Sequence, residues 1–107
     1  MADIFPMKQN DTAPSLLYAL SPASVDLTGA TVRFSMRDRV LGTVKINRVA
    51  AVIVTPTVTP TVRYDWQATD TDTIGFYEAE FEVTYANGKI ETFPNSTFIP
   101  VNIGDDI

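Results

Sequence analysis

Three glutamates at alternate positions are the first candidates for chemistry. Glu78, Glu80 and Glu82 share one parity of the run Tyr77–Tyr85. On a strand, side chains two residues apart sit about 6.6–7 Å from each other on one face. Carboxylates at about that separation serve glycoside hydrolysis, which makes Glu78 and Glu80 the pair a hydrolase would use. Carboxylate oxygens also suit calcium. The other parity, however, is Tyr77, Ala79, Phe81, Val83 and Tyr85. Charged residues opposite such a row are what a solvated sheet face requires, and that reading is the stronger one. Asp65, Asp70 and Asp72 form a second acidic set. Their D-x-D spacing resembles a calcium loop, but the Gly and the terminal Glu of such a loop are out of register. Turn-forming Asp, bonding the backbone two residues on, is the simpler account. Arg37, Arg39, Lys45 and Arg48 are scattered, and Gly29, Gly42, Gly75 and Gly88 each fall at an expected turn without forming a phosphate loop. The expectation is a protein with no catalytic, metal or cofactor site.

Composition points the same way. The chain has no His, which removes the usual general base and the commonest metal ligand, and no Cys, which removes disulfides and thiolate zinc sites. A net charge of −5 argues against a nucleic-acid surface or an anionic membrane. No apolar run is long enough to span a bilayer, and the first residues lack the apolar region of a secretory leader. A length of 107 residues suits one domain with its own core.

The elements that would hold these residues are strands. Tyr77–Tyr85 alternates with a period of two, then Ala86-Asn87-Gly88-Lys89 offers an Asn-Gly turn in which both central residues accept positive φ, and Ile90–Phe93 returns. Upstream, Ser15–Leu20 reads as a strand buried on both sides, bracketed by Pro14 and Ser21-Pro22. Asp26–Gly29 is a turn. Thr31–Met36 places Val32, Phe34 and Met36 inward, and Asp38–Gly42 is a hairpin loop. Thr43–Asn47 places Val44 and Ile46 inward, and Val49–Val54 is a continuous β-branched strand. The VTPTVTPTV stretch, Val54–Val62, reads as an edge strand or loop because Pro56 and Pro60 cannot donate to a ladder. Val62, Tyr64 and Trp66 share a face, and Phe98–Ile103 is the last strand.

Seven or eight short strands with regular turn signals and no helical period predict an all-β antiparallel sandwich. Gly75 two residues before Tyr77 has the layout of the tyrosine corner of immunoglobulin-like domains, with Ala79 where a disulfide-bearing domain has Cys. The expected boundaries are an extended arm over residues 1–14, the sandwich over 15–103 and an acidic tail over 104–107. Removal of residues 2–10 is expected to leave the fold standing. Ile4, Phe5 and Met7 on the arm, with Pro56, Val58 and Pro60, are the candidate contact residues. Most aromatics are expected inside, with Phe76 and Phe93 the exceptions open to a ligand.

Four motifs carry a resemblance. Gln9–Pro14, Asp26–Phe34, Tyr64-Asp65-Trp66 and the span from Asp70 to Glu91-Thr92-Phe93-Pro94-Asn95 together resemble the N-terminal domain of the bacteriophage baseplate upper protein family, over residues 8–103. The chain departs from that pattern in ending directly after the domain and in carrying the VTPTVTPT insert. The resemblance implies an immunoglobulin-type sandwich, a structural role in a virion assembled in the bacterial cytoplasm, and other virion proteins as partners in several symmetric copies. It implies a place in the tail, baseplate or neck. A head-decoration protein, or a carbohydrate- or receptor-binding module of the fibre apparatus, is the alternative.

Overall fold

A computed structural model describes residues 4–20 and 25–107. The head of the expected arm, residues 1–3, and the Ser21-Pro22 bracket lie outside the described residues. The described residues form nine strands in two sheets and no helix. The larger sheet is built on β7 (Gly75–Thr84), which pairs antiparallel with β3 (Thr31–Asp38) on one side. β4 (Val44–Ala50) pairs with the far side of β3. Two strands share the other side of β7: β9 (Ile99–Gly104) covers Gly75–Ala79, and β8 (Ile90–Phe93) covers Phe81–Thr84. β1 (Phe5–Lys8) closes that edge in parallel with β9, the one parallel pair in an otherwise antiparallel fold. The smaller sheet runs β2 (Leu16–Ala19), β6 (Thr61–Tyr64), β5 (Val52–Thr55).

The period-two row of β7 sets the core. Tyr77, Ala79, Phe81 and Val83 are buried, and their cross-strand partners Val32, Phe34 and Met36 meet them on the same face. The smaller sheet supplies Leu16, Val62 and Tyr64 from across the sandwich. Phe34 joins the layers: its ring stacks on Tyr64 at 4.2 Å, leans on Phe81 at 5.0 Å and meets the edge of Trp66 at 5.8 Å. Such ring pairs add about 0.5–1.5 kcal/mol each beyond the area they bury. Buried polar atoms are satisfied: Trp66 Nε1 donates to the Pro14 carbonyl at 3.1 Å, and Thr71 Oγ1 donates to the Asp11 carbonyl at 2.7 Å.

Five local expectations change. The segment Phe5–Lys8 is no free arm: it is β1, with Met7 inside the core and Phe5 against Trp66 at 6.0 Å. β2 buries one face only, since Leu17 and Ala19 lie on the open outer side of the smaller sheet. Val44 points outward, because Met36 faces Ile46 while the next residue, Arg37, faces Val44. Lys45 is therefore an extra residue, and a one-residue insertion flips parity. The run Val49–Val54 is two strands, β4 and β5, which belong to different sheets and meet at Ala51. The Asn87-Gly88 turn has only Gly88 at positive φ, +88°. Gly88 N donates to Tyr85 O at 2.8 Å, giving a three-residue loop with a left-handed Gly in place of a two-residue turn.

The VTPTVTPTV stretch is a hairpin. β5 and β6 pair antiparallel, and Pro56–Pro60 make the connection. Its tip holds Val58 at φ 56° and Thr59 at φ 68°. A left-handed conformation costs an L-residue about 1–2 kcal/mol, most severely a β-branched one. Replacing the tip by Val58→Asn with Thr59→Gly should therefore raise the urea midpoint, by roughly 1 kcal/mol of stability. A midpoint below wild type would show that the tip is held by something the substitution removes.

Candidate docking surface

The glutamate row forms a cross-strand ladder on the outer face of the larger sheet. Glu78 faces Arg37, Glu80 faces Ser35 and Glu82 faces Arg33 in the β3–β7 register. Arg37 Nε donates to Glu78 at 3.2 Å, and its guanidinium lies 4.8 Å from the centre of the Phe98 ring. Arg48 approaches Glu82 at 3.9 Å. A shallow groove of about 210 Å³ runs over this face, lined by Arg37, Asn47, Arg48, Glu78, Glu80 and Phe98. Glu78 and Glu82 are thus met by arginines, the arrangement of a solvated, charge-balanced face. Exposed pairs of this kind contribute about 0–1 kcal/mol each.

The second acidic set is spread among three local tasks. Asp65 accepts from Ser15 Oγ at 2.6 Å and from Arg63 Nε at 2.9 Å. Asp70 accepts from the Tyr64 hydroxyl at 2.6 Å and the Gln67 amide at 2.7 Å. Asp72 pairs with Lys45 and accepts from Thr73 Oγ1 at 2.9 Å. Among the described residues no three such side chains gather where a metal ion could sit.

These bonds bear on how stability varies with pH. The Ser15 hydroxyl and Arg63 hold the Asp65 carboxyl below its ordinary 3.8, and Lys45 and Thr73 do the same for Asp72. A carboxyl whose folded pKa is depressed lends stability that is complete above its unfolded value and lost as pH falls through the folded one. Burial raises the phenols of Tyr64, Tyr77 and Tyr85 above 10.0, with Asp70 adding to the effect on Tyr64. Tyr85, which also donates to Glu91, is pushed up to about 12. A raised folded pKa reverses the sign: that stability is complete below the unfolded value and lost as pH rises through the folded one. Thermal midpoints should be flat between about pH 5 and 9 and fall on both sides. A midpoint that climbs from pH 10 to 11.5 would contradict the phenol part.

The expected contact residues divide. Ile4 and Val58 are exposed, and so is Pro56; Phe5 is half-buried. Met7 and Pro60 are buried, Met7 because it faces the core from β1, so neither is a contact residue. Phe93 is also buried, on the core side opposite Phe81, and offers no platform; Phe76 is exposed. Gly75 opens β7 with the Tyr77 ring alongside it, and the Tyr77 hydroxyl donates to the Thr73 carbonyl at 2.7 Å. That bond fastens the loop before β7 to the strand.

The corner also shapes a surface that strand reasoning missed. The β3–β4 hairpin loop lies beside the segment entering β7: Arg39 N donates to Phe76 O at 2.9 Å, and Lys45 pairs with Asp72. Leu41, Thr43, Lys45, Thr73 and Tyr77 line one depression there, of about 250 Å³. Four large apolar side chains stand open at this pole: Val40 at 82%, Leu41 at 77%, Ile74 at 51% and Phe76 at 54% exposure. Asp38 holds the loop that presents two of them, accepting from the amides of Val40 and Leu41 at 2.8 Å each. A Val-Leu pair inside a turn, where polar residues are usual, was the available signal. Loops carry function when a rigid scaffold positions them.

Comparison of the chain with protein-family models, with curated proteins and with solved structures finds no match.

Proposed function

We propose that this chain is a non-enzymatic structural component of a bacteriophage virion, a small docking module of the tail, baseplate or neck. The observation that carries the reading is the exposure of Val40, Leu41, Ile74 and Phe76 on two segments that the Arg39–Phe76 bond joins. Apolar side chains that the fold leaves in water gain by being covered, and a neighbouring virion protein is the partner that covers them. The strand order supports the immunoglobulin-type reading. β4-β3-β7-β9 follows the C′-C-F-G sequence of such sandwiches, with β1 added beyond β9, and β2-β6-β5 follows B-E-D. Tyr77 makes the corner bond in the loop before the F-equivalent strand. Two departures fit a domain closed by packing alone: Ala79 stands in the cysteine position, and Trp66 follows β6 while Phe34 holds the centre of β3. The resemblance of four motifs to the baseplate upper protein family supplies the virion context.

A chain carrying Val40→Asp and Leu41→Asp tests the reading. Both positions are exposed, so its circular dichroism and melting temperature should match wild type while its incorporation into particles fails. Particles that take up the variant at the wild-type copy number would count against the pole as the docking surface.

A further inference from the structure

A second apolar surface lies along one of the two edges of the smaller sheet. β5 ends the order β2-β6-β5, so one row of its backbone groups has no strand beside it among the described residues. Proteins blunt such edges with charge, proline or extra residues. β4 carries Lys45 and Arg48 and two irregularities of register, and β1 carries Pro6. β5 reads Val-Ile-Val-Thr, with no charge and no proline, and its one irregularity falls at Val54. The lack of charge extends over residues 49–62 in a chain with 13 acidic and 8 basic side chains. On the outer face Val52 is 39% exposed and Val54 45%, and Leu17 lies across Arg63 from Val52.

We infer that β5 pairs antiparallel with β5 of a second copy, joining two three-stranded sheets into one of six strands. Charge permits this occupant at the strip. Two copies each at −5 repel, and a segment without acidic groups is where that repulsion is least. The charges bordering the strip are Arg48, which approaches Glu82 at 3.9 Å, and Arg63, which Asp65 engages at 2.9 Å. The strand is also its own complement. A two-fold axis through Ile53 sets Val52 opposite Val54 of the partner subunit and Val54 opposite its Val52, so β-branched side chains face each other across the seam. An isologous contact of this kind closes at two copies and does not propagate into fibres. A seam of four residues buries less than the roughly 1,200 Å² of a stable interface, so the dimer is weak and concentration-dependent. The inference rests on the chain's own surface and holds whether or not the chain is a virion component.

Sedimentation velocity from about 10 μM to 1 mM tests it, the range in which weak pairs form. The mass should rise from 11.8 kDa toward twice that value with concentration. Val54→Lys, which places a charge on the edge at an exposed position, should stay at the monomer mass with an unchanged melting temperature. The native chain has no cysteine, so Ile53→Cys gives a clean second readout: mild oxidation should link it into a dimer across the two-fold axis. A wild-type chain that remains monomeric at 1 mM overturns the inference. So does a dimer that Val54→Lys leaves intact.

Discussion

Phe34→Ala is expected to lower stability by about 3–5 kcal/mol, the range for removing a buried aromatic ring. A domain of this size holds about 5–15 kcal/mol in all, so the variant loses between about a fifth and all of its margin. Phe34 is fully buried and touches both layers: Tyr64 lies in the smaller sheet, Phe81 on the neighbouring strand of the larger one, and Trp66 closes the side. Its removal leaves a void whose walls are sheet backbone and other rings, which collapse poorly, so the transfer and cavity terms add. With no disulfide between the sheets, nothing covalent limits the damage. Equilibrium urea unfolding followed by Trp66 fluorescence reads the change. A loss under 1 kcal/mol would mean that the two sheets do not close on this ring.

Deleting residues 1–8 is expected to cost about 2–4 kcal/mol, the apolar burial that β1 supplies beyond the entropy of ordering it. β1 pairs with β9 at every residue from Phe5 to Lys8, and Met7 is 5% exposed. Without it, Val101 and Ile103 lose their neighbours along the open side of β9, and Trp66 loses the Phe5 ring. Gln9 would also lose its setting, in which its amide donates to Gly104 O at 2.8 Å and its side chain to Asp72 O at 2.8 Å. Met7→Ala alone should reproduce about half of the effect, which separates core loss from loss of chain length. If the truncated chain unfolds at the wild-type urea midpoint, β1 adds nothing to the fold.

The parts of this fold that were legible in the sequence are those where one strand has one wet face. Tyr77–Val83 and Val32–Met36 alternate cleanly, and both rows are inward. Long-range parallel pairing leaves no such mark: Phe5-Pro6-Met7-Lys8 is short, holds a proline, and joins β9 across nearly the whole chain, with no turn to announce it. Val49–Val54 is apolar at every position, so parity could not show where the chain changes sheets at Ala51. Val44 was misplaced because a bulge is invisible to a period of two. The glutamates lie on an outer face as read, with Glu78 meeting Arg37, but of the second acidic set only Asp70 bonds backbone, three residues back at Gln67, while Asp65 and Asp72 bond side chains distant in sequence. The apolar pole was hidden for a different reason. Val40-Leu41 and Ile74–Phe76 are more than thirty residues apart, and it is the end of the β3–β7 ladder, the Arg39–Phe76 bond and the Lys45–Asp72 pair that bring their segments together.

Docking through that pole is tested most directly by backbone hydrogen exchange, measured on the free chain and on the chain within purified particles. Marked slowing over residues 38–43 and 73–76, with the outer face of β3 and the glutamate row unchanged, is the expected result. Exchange at those two segments as fast in the particle as in the free chain would contradict it.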